Sequence, residues 1–235
     1  MSLLEECISA YGGLDHWRAA DAVEVRLSAW GLAFAVKGHR RPLRDTRTRV
    51  RTGGQQVEFF DWPRTGETAI LTSEECRIGH EHREHPRWGR RWDEFDFLAF
   101  AGAALWTYIS LPFVLADWGA DELPNRRLRF RVPAPIRSHC RAQTIQLDER
   151  GLIVRHDYTA EAFGPWARAA HRSSRFKTFD GLPVPTRRRV RPRPLGPVIV
   201  KVDVSHAAYS GLHRAAGPLL DARLAAELRS SSAPI

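Results

Sequence analysis

A chain of 235 residues, 43% of them hydrophobic, holds enough apolar material for a large core, which excludes an intrinsically disordered protein. The net charge of +9 comes from 33 arginines against three lysines, yet the arginine-rich runs at 40–51 and 187–193 match no helix-turn-helix, zinc-finger or RNP pattern, so no nucleic-acid partner is expected. Cys7, Cys76 and Cys140 are odd in number and form no Cys-x-x-Cys pair, and the opening Met-Ser-Leu-Leu-Glu-Glu-Cys is acidic where a signal peptide is basic; both point to a cytoplasmic, reducing setting.

In residues 2–20, Leu3, Leu4, Cys7, Ile8 and Tyr11 fall at helical spacing, Gly12-Gly13 is a stop, and 14–20 reads as a second short helix. From Val23 the period changes to two. Val23, Val25, Leu27 and Ala29 alternate with Glu24, Arg26 and Ser28, and Leu32, Phe34 and Val36 carry the alternation past Trp30-Gly31, predicting a long bent strand or a hairpin. Further strands are expected at 47–51, 55–61, 67–72 and 75–81. Arg47, Arg49 and Arg51, like Arg127, Arg129 and Arg131 later, alternate as on the solvent face of a sheet, and the bland reading of the arginine runs is a solvated exterior.

Residues 97–115 then run for nineteen positions without a charge, long enough to span a bilayer. Acids flank the run on both sides (Asp93, Glu94 and Asp96; Asp117, Asp121 and Glu122), and Gly102 and Pro112 interrupt it. A buried plug helix broken near Pro112 is expected instead of a membrane span. Strands resume at 127–132, 139–147, 151–160, 167–179, 185–191 and 198–205, with turn chemistry at Asp148-Glu149-Arg150-Gly151, Phe163-Gly164-Pro165 and Asp180-Gly181. Residues 219–228 read as a short helix and 230–235 as disordered. The expected fold is mainly β (α+β): a curved antiparallel half-barrel meander wrapped around the apolar plug helix, with an N-terminal helix pair, as a single domain over 1–235.

Tyr11-Gly12-Gly13-Leu14-Asp15-His16-Trp17, the Leu105-Trp106-Thr107-Tyr108-x-x-x-Pro112-Phe113 segment of the plug, His156-Asp157-Tyr158, and the late Asp180-Gly181-Leu182-Pro183-Val184-Pro185-Thr186-Arg187-Arg188-Arg189-Val190 together resemble cytosolic bacterial proteins of the LolA-like and VioE-like half-barrel family. The resemblance covers most of the chain. It implies a curved sheet around an apolar cavity suited to a hydrophobic small molecule. Because the family holds both lipoprotein carriers and a biosynthetic enzyme, it implies no particular reaction.

Cys76-x-x-x-His80-x-His82-x-x-His85 offers zinc-type ligands, but its spacing matches no zinc signature and arginines surround it, so a solvated hairpin and no metal are expected. Three late strands are more informative. On one face His139, Arg141 and Gln143 precede Ile145 and Leu147; on the next strand Leu152 and Val154 share a face with His156 and Tyr158; on the third Ala167, Ala169, His171 and Ser173 align. If the apolar ends face the cavity, the polar members do too. His139, Arg141, His156 and Tyr158 are then the candidate catalytic residues, able to move protons or polarise a carbonyl. Trp106 and Tyr108 on the plug, with Gln143, His171 and Phe34, are the candidate substrate-binding residues. No motif asks for a cofactor. Two functions are expected, the first slightly favoured: a cofactor-independent cyclase or isomerase acting on an apolar, polyketide-like intermediate, or a non-catalytic carrier or sensor of a lipid-like molecule. Nothing in the sequence sets an oligomeric state.

Overall fold

The computed structural model describes residues 1–211. Helices α1 (Leu3–Ala10) and α2 (Leu14–Ala19) open the chain, α1 held by a capping box between Ser2 and Glu5. Strand β1 (Ala22–Trp30) leads to a single helical turn, α3 (Leu32–Val36), and then to β2 (Leu43–Arg51), β3 (Gln56–Phe60), β4 (Thr68–Thr72), β5 (Cys76–Ile78) and β6 (Glu81–Arg83). Helices α4 (Glu94–Ser110) and α5 (Leu115–Trp118) follow. The chain returns to β7 (Asp121–Leu123), β8 (Arg127–Arg131), β9 (Ala142–Leu147), β10 (Ile153–Thr159), β11 (Arg168–Phe179), β12 (Leu182–Pro192) and β13 (Val200–Ser210).

All thirteen strands of the described residues belong to one antiparallel sheet, ordered β6-β5-β4-β3-β2-β1-β13-β12-β11-β10-β9-β8-β7. The sheet is open, and the fold is a mainly-β half-barrel with the expected N-terminal helix pair. Each half of the chain is a meander, and the halves join at the centre where Ala22 of β1 opposes Ser210 of β13. The β11–β12 hairpin turns on Asp180-Gly181, both at positive φ (48° and 82°), the pairing a two-residue type I′ turn requires.

The nineteen-residue apolar run forms α4 and the turn after it, as the plug reading expects. Asp93 starts the helix by accepting a hydrogen bond from the Asp96 N–H at 3.0 Å, a cap that stabilises by about 1 kcal/mol. Its side chains are apolar nearly all round, and twelve of its residues are buried, as befits a helix enclosed by sheet. Gly102 lets it approach β4 closely: a Cβ there would lie 2.9 Å from Cβ of Leu71. The helix ends at Leu111 because the following Pro112 disfavours helical backbone before it. Among the described residues no helix is long and apolar enough to cross a membrane.

Two expectations need correction, and one strand was not anticipated. The alternation at Leu32, Phe34 and Val36 is not a strand but α3. Gly31, at φ 146°, passes so close to β13 that any Cβ would collide with the Ile199 carbonyl, and alanines at 33 and 35 fill the alternate positions with good helix formers. Leu32 and Val36, four apart, therefore share the solvent side, while Phe34 points inward. The strand expected at 75–81 is a hairpin, β5–β6, turning at Gly79-His80, with His80, His82 and His85 in solvent and only Cys76 buried. The edge strand β7, three residues long and carrying two acids, left no periodic signal to read. The helix expected at 219–228 and the tail at 230–235 lie outside the described residues.

Candidate ligand-binding site

Parity on β9, β10 and β11 carries the polar side chains to the concave face beneath α4. Tyr158 opposes Gln143 across the β9–β10 pairing, and His156 opposes His171 across β10–β11, so the four meet on adjacent rungs. A β-bulge between Ile153 and Arg155 resets the alternation. Ile153 is consequently buried with His156 and Tyr158, while Val154, expected on their face, is only half buried.

Gln143 fixes His156. The Gln143 amide N–H₂ donates to the Cys140 carbonyl at 2.7 Å, so its oxygen accepts from Nε2 of His156 at 2.6 Å, which puts the imidazole proton on Nε2. From α4, Tyr108 comes down between the rungs and its hydroxyl meets that of Tyr158 at 3.1 Å. The Tyr108 ring stands edge-on to His171 with centroids 4.5 Å apart, and His139 stands edge-on to Tyr158 at 4.8 Å. Neither nitrogen of His139 nor of His171 has a hydrogen-bond partner among the described residues.

Burial sets the protonation of this cluster. Desolvation depresses His139 to a pKa of about 4 and His156 to about 3, the latter helped by the neighbouring His139 and Arg188. His171 is held well below the ordinary histidine value, by burial first and then by the Arg188 charge. Burial pushes Tyr108 up to about 12 and Tyr158 well above the usual phenol value. At neutral pH the histidines are uncharged and both phenols keep their protons.

Tyr108, Tyr158 and His171 are polar walls of a cavity of about 70 Å³, whose other walls are apolar and include Phe34 of α3, Phe97 and Phe100 of α4, and Val190 of β12. An apolar surface groove of about 340 Å³ adjoins it. Phe100, Tyr158, Val190 and Val200 are walls of both spaces. The groove is rimmed by Leu32, Val36 and Trp166, which are 60%, 61% and 76% exposed.

Of the residues singled out from the sequence, Phe34, Tyr108, Tyr158 and His171 line the cavity, and His139, Gln143 and His156 pack behind it. Two lie elsewhere. Arg141 is half exposed, its guanidinium donating to the carbonyls of Pro133 and Ile136. Trp106 sits on the opposite side of α4 from Tyr108 and donates Nε1–H to the Gly54 carbonyl at 3.0 Å, because helix residues two apart do not share a face. One residue was missed. Arg188, inside an arginine run that reads as solvated exterior, is buried with its guanidinium over the Tyr108 ring, 5.1 Å from the ring centre. Its signal was parity: Leu182, Val184, Arg188 and Val190 share one face of β12.

No family model matches the chain, and no curated protein matches it. Solved structures do. A DUF1329 family protein from Desulfovibrio piger is 13% identical, with a TM-score of 0.52 over 89% of this chain and 94% of that one. A putative outer membrane lipoprotein-sorting protein domain from Vibrio parahaemolyticus is 12% identical, with a TM-score of 0.52 over 90% and 93%. A LolA superfamily protein from Nitrosomonas europaea is 11% identical, with a TM-score of 0.50 over 85% and 91%. At such identities the likeness is one of fold, and the fold is LolA-like.

Proposed function

We propose that this protein binds and carries a hydrophobic small molecule, its apolar part lodged between α4 and the concave face of the sheet and entering through the groove beside α3. The observation that carries this reading is the shared wall of Phe100, Tyr158, Val190 and Val200, which joins an exposed apolar groove to an interior cavity. Exposed Leu32, Val36 and Trp166 at the rim are the kind of contiguous apolar surface that marks a binding site. The LolA-like fold fits the same role, one structural neighbour being described as a lipoprotein-sorting domain. Three buried free cysteines suit a cytoplasmic, reducing setting.

The polar cluster is the observation that favours a second reading, a cofactor-independent cyclase or isomerase. A general acid or base works best with a pKa near the operating pH, however, and burial drives these histidines down and these tyrosines up, away from neutrality on both sides. Neutral donors and acceptors of this kind orient a ligand more readily than they transfer its protons.

The experiment is to incubate the purified protein with small-molecule extract of its own organism and follow the mixture by liquid chromatography and mass spectrometry. A compound retained in stoichiometric amount and released unchanged supports the carrier. Conversion over time to a product of equal mass, abolished by His156→Gln or Tyr158→Phe, supports the isomerase and refutes the carrier.

A further inference from the structure

Arg188 is 8% exposed, yet it has no carboxylate partner among the described residues. A guanidinium has five N–H donors. Here they find one long hydrogen bond, from Nη2 to the Tyr108 carbonyl at 3.5 Å, and the face of the Tyr108 ring. The single buried carboxylate among the described residues, Asp96, is occupied elsewhere by the backbone N–H groups of Arg87, Trp88 and Asp93. An ion so largely buried without a counter-charge is disfavoured, so a fold that keeps one has a use for it.

Its position tells which use. Ser173 opposes Arg188 and His171 opposes Val190 in the β11–β12 pairing, so Arg188 and His171 are diagonal neighbours on the inward face. Val190 and His171 are cavity walls, and Arg188 lies one rung beyond them, against Tyr108. Behind the Tyr108 wall of an otherwise apolar space thus lies one positive charge without a carboxylate partner. Beside it are two phenol hydroxyls and an imidazole with both nitrogens unpartnered. The cavity of about 70 Å³ has room for a small head group, while the groove of about 340 Å³ leads from the same walls to the surface.

We infer that the ligand is an anionic amphiphile, a carboxylic acid on an apolar chain, with its head at the Tyr108–His171 wall facing the charge of Arg188 and its chain running past Phe100 and Val190 into the groove. This rests on the carrier reading and specifies its ligand. One phenol, accepting the O–H of the other, and His171 serve as hydrogen-bond donors to the carboxylate, and Arg188 supplies the missing counter-charge.

The test compares decanoic acid, decanol and methyl decanoate at pH 7.4 as competitors of Nile red bound to the whole protein, with Arg188→Met and Arg188→Lys alongside. The acid is expected to bind the wild type about tenfold to a hundredfold more tightly than the alcohol or the ester. Arg188→Lys retains most of that preference, and Arg188→Met abolishes it while leaving the unliganded protein at least as resistant to heat, since an unpaired buried charge has been removed. Equal binding of all three by the wild type, a preference that survives Arg188→Met, or a Met variant that melts well below the wild type overturns the assignment. If the neutral competitors bind and the acid has no advantage, only the head group is wrong. If neither Nile red nor any competitor binds, the carrier reading itself falls.

Discussion

Lowering the pH from 7 to 5 should destabilise the protein steeply. The cause is three buried histidines. In the unfolded chain His139, His156 and His171 titrate near the ordinary value of about 6.5. In the folded protein burial holds His139 at about 4, His156 at about 3 and His171 well below its usual value. Protons therefore bind the unfolded chain first: stability is complete above pH 6.5 and drains away as the pH falls toward the folded values. Between pH 7 and 5 His139 and His156 each cost about 2 kcal/mol, so together they cost roughly 4 kcal/mol, a large part of the stability of a typical domain, and His171 acts in the same direction. Urea denaturation followed by tryptophan fluorescence at pH 7, 6 and 5 measures this directly. His171→Leu should make the pH dependence shallower. A stability at pH 5 within about 1 kcal/mol of that at pH 7 would show that the three rings accept protons in the folded state, and would refute the dry cluster on which both functional readings depend.

Three substitutions probe other links. Trp166→Ser removes an exposed rim residue, so stability should stay within about 0.5 kcal/mol of wild type while Nile red binding weakens; unchanged binding would move the entrance away from the groove. Gln143→Leu takes away the acceptor for His156 Nε2–H and should cost about 1–3 kcal/mol in denaturant titration at pH 7, an effect absent if water reaches that ring. Gly102→Val forces side-chain atoms into Leu71 where α4 crosses β4 and should cost about 1–3 kcal/mol by the same measurement; a neutral result would mean that the helix can lift from the sheet.

The sheet was legible because strand parity is a local property. From β8 to β12 each strand was anticipated within a few residues, β13 was read five residues short at its end, and the same parity brought Gln143, His156, Tyr158 and His171 to one face. Legibility failed where a second geometry intervened. The bulge before His156 placed Val154 wrongly while leaving His156 right, since an inserted residue shows no mark in the pattern. Trp106 was grouped with Tyr108 by adjacency on an element whose period is 3.6, not two. At Leu32 to Val36 alternating alanines satisfied both periods, and only the approach of Gly31 to Ile199, a contact across 168 positions of sequence, selects the helical turn. Arg188 was hidden by its company, since a run of arginines reads as surface unless each is assigned its own side of the strand.

The central pairing of β1 with β13 also bears on how the chain is made. Ala22 must wait for Ser210, so the middle of the sheet is sealed only after almost everything between has left the ribosome. Until then β1, with Val23, Val25 and Leu27 on its apolar side, offers an open edge to any extended strand nearby. The early meander from β1 to β6 and the late one from β7 to β13 are each incomplete without the other. A nascent chain stalled before β13 should be a substrate for chaperones, and a truncation removing that strand should yield aggregate and not a smaller folded unit.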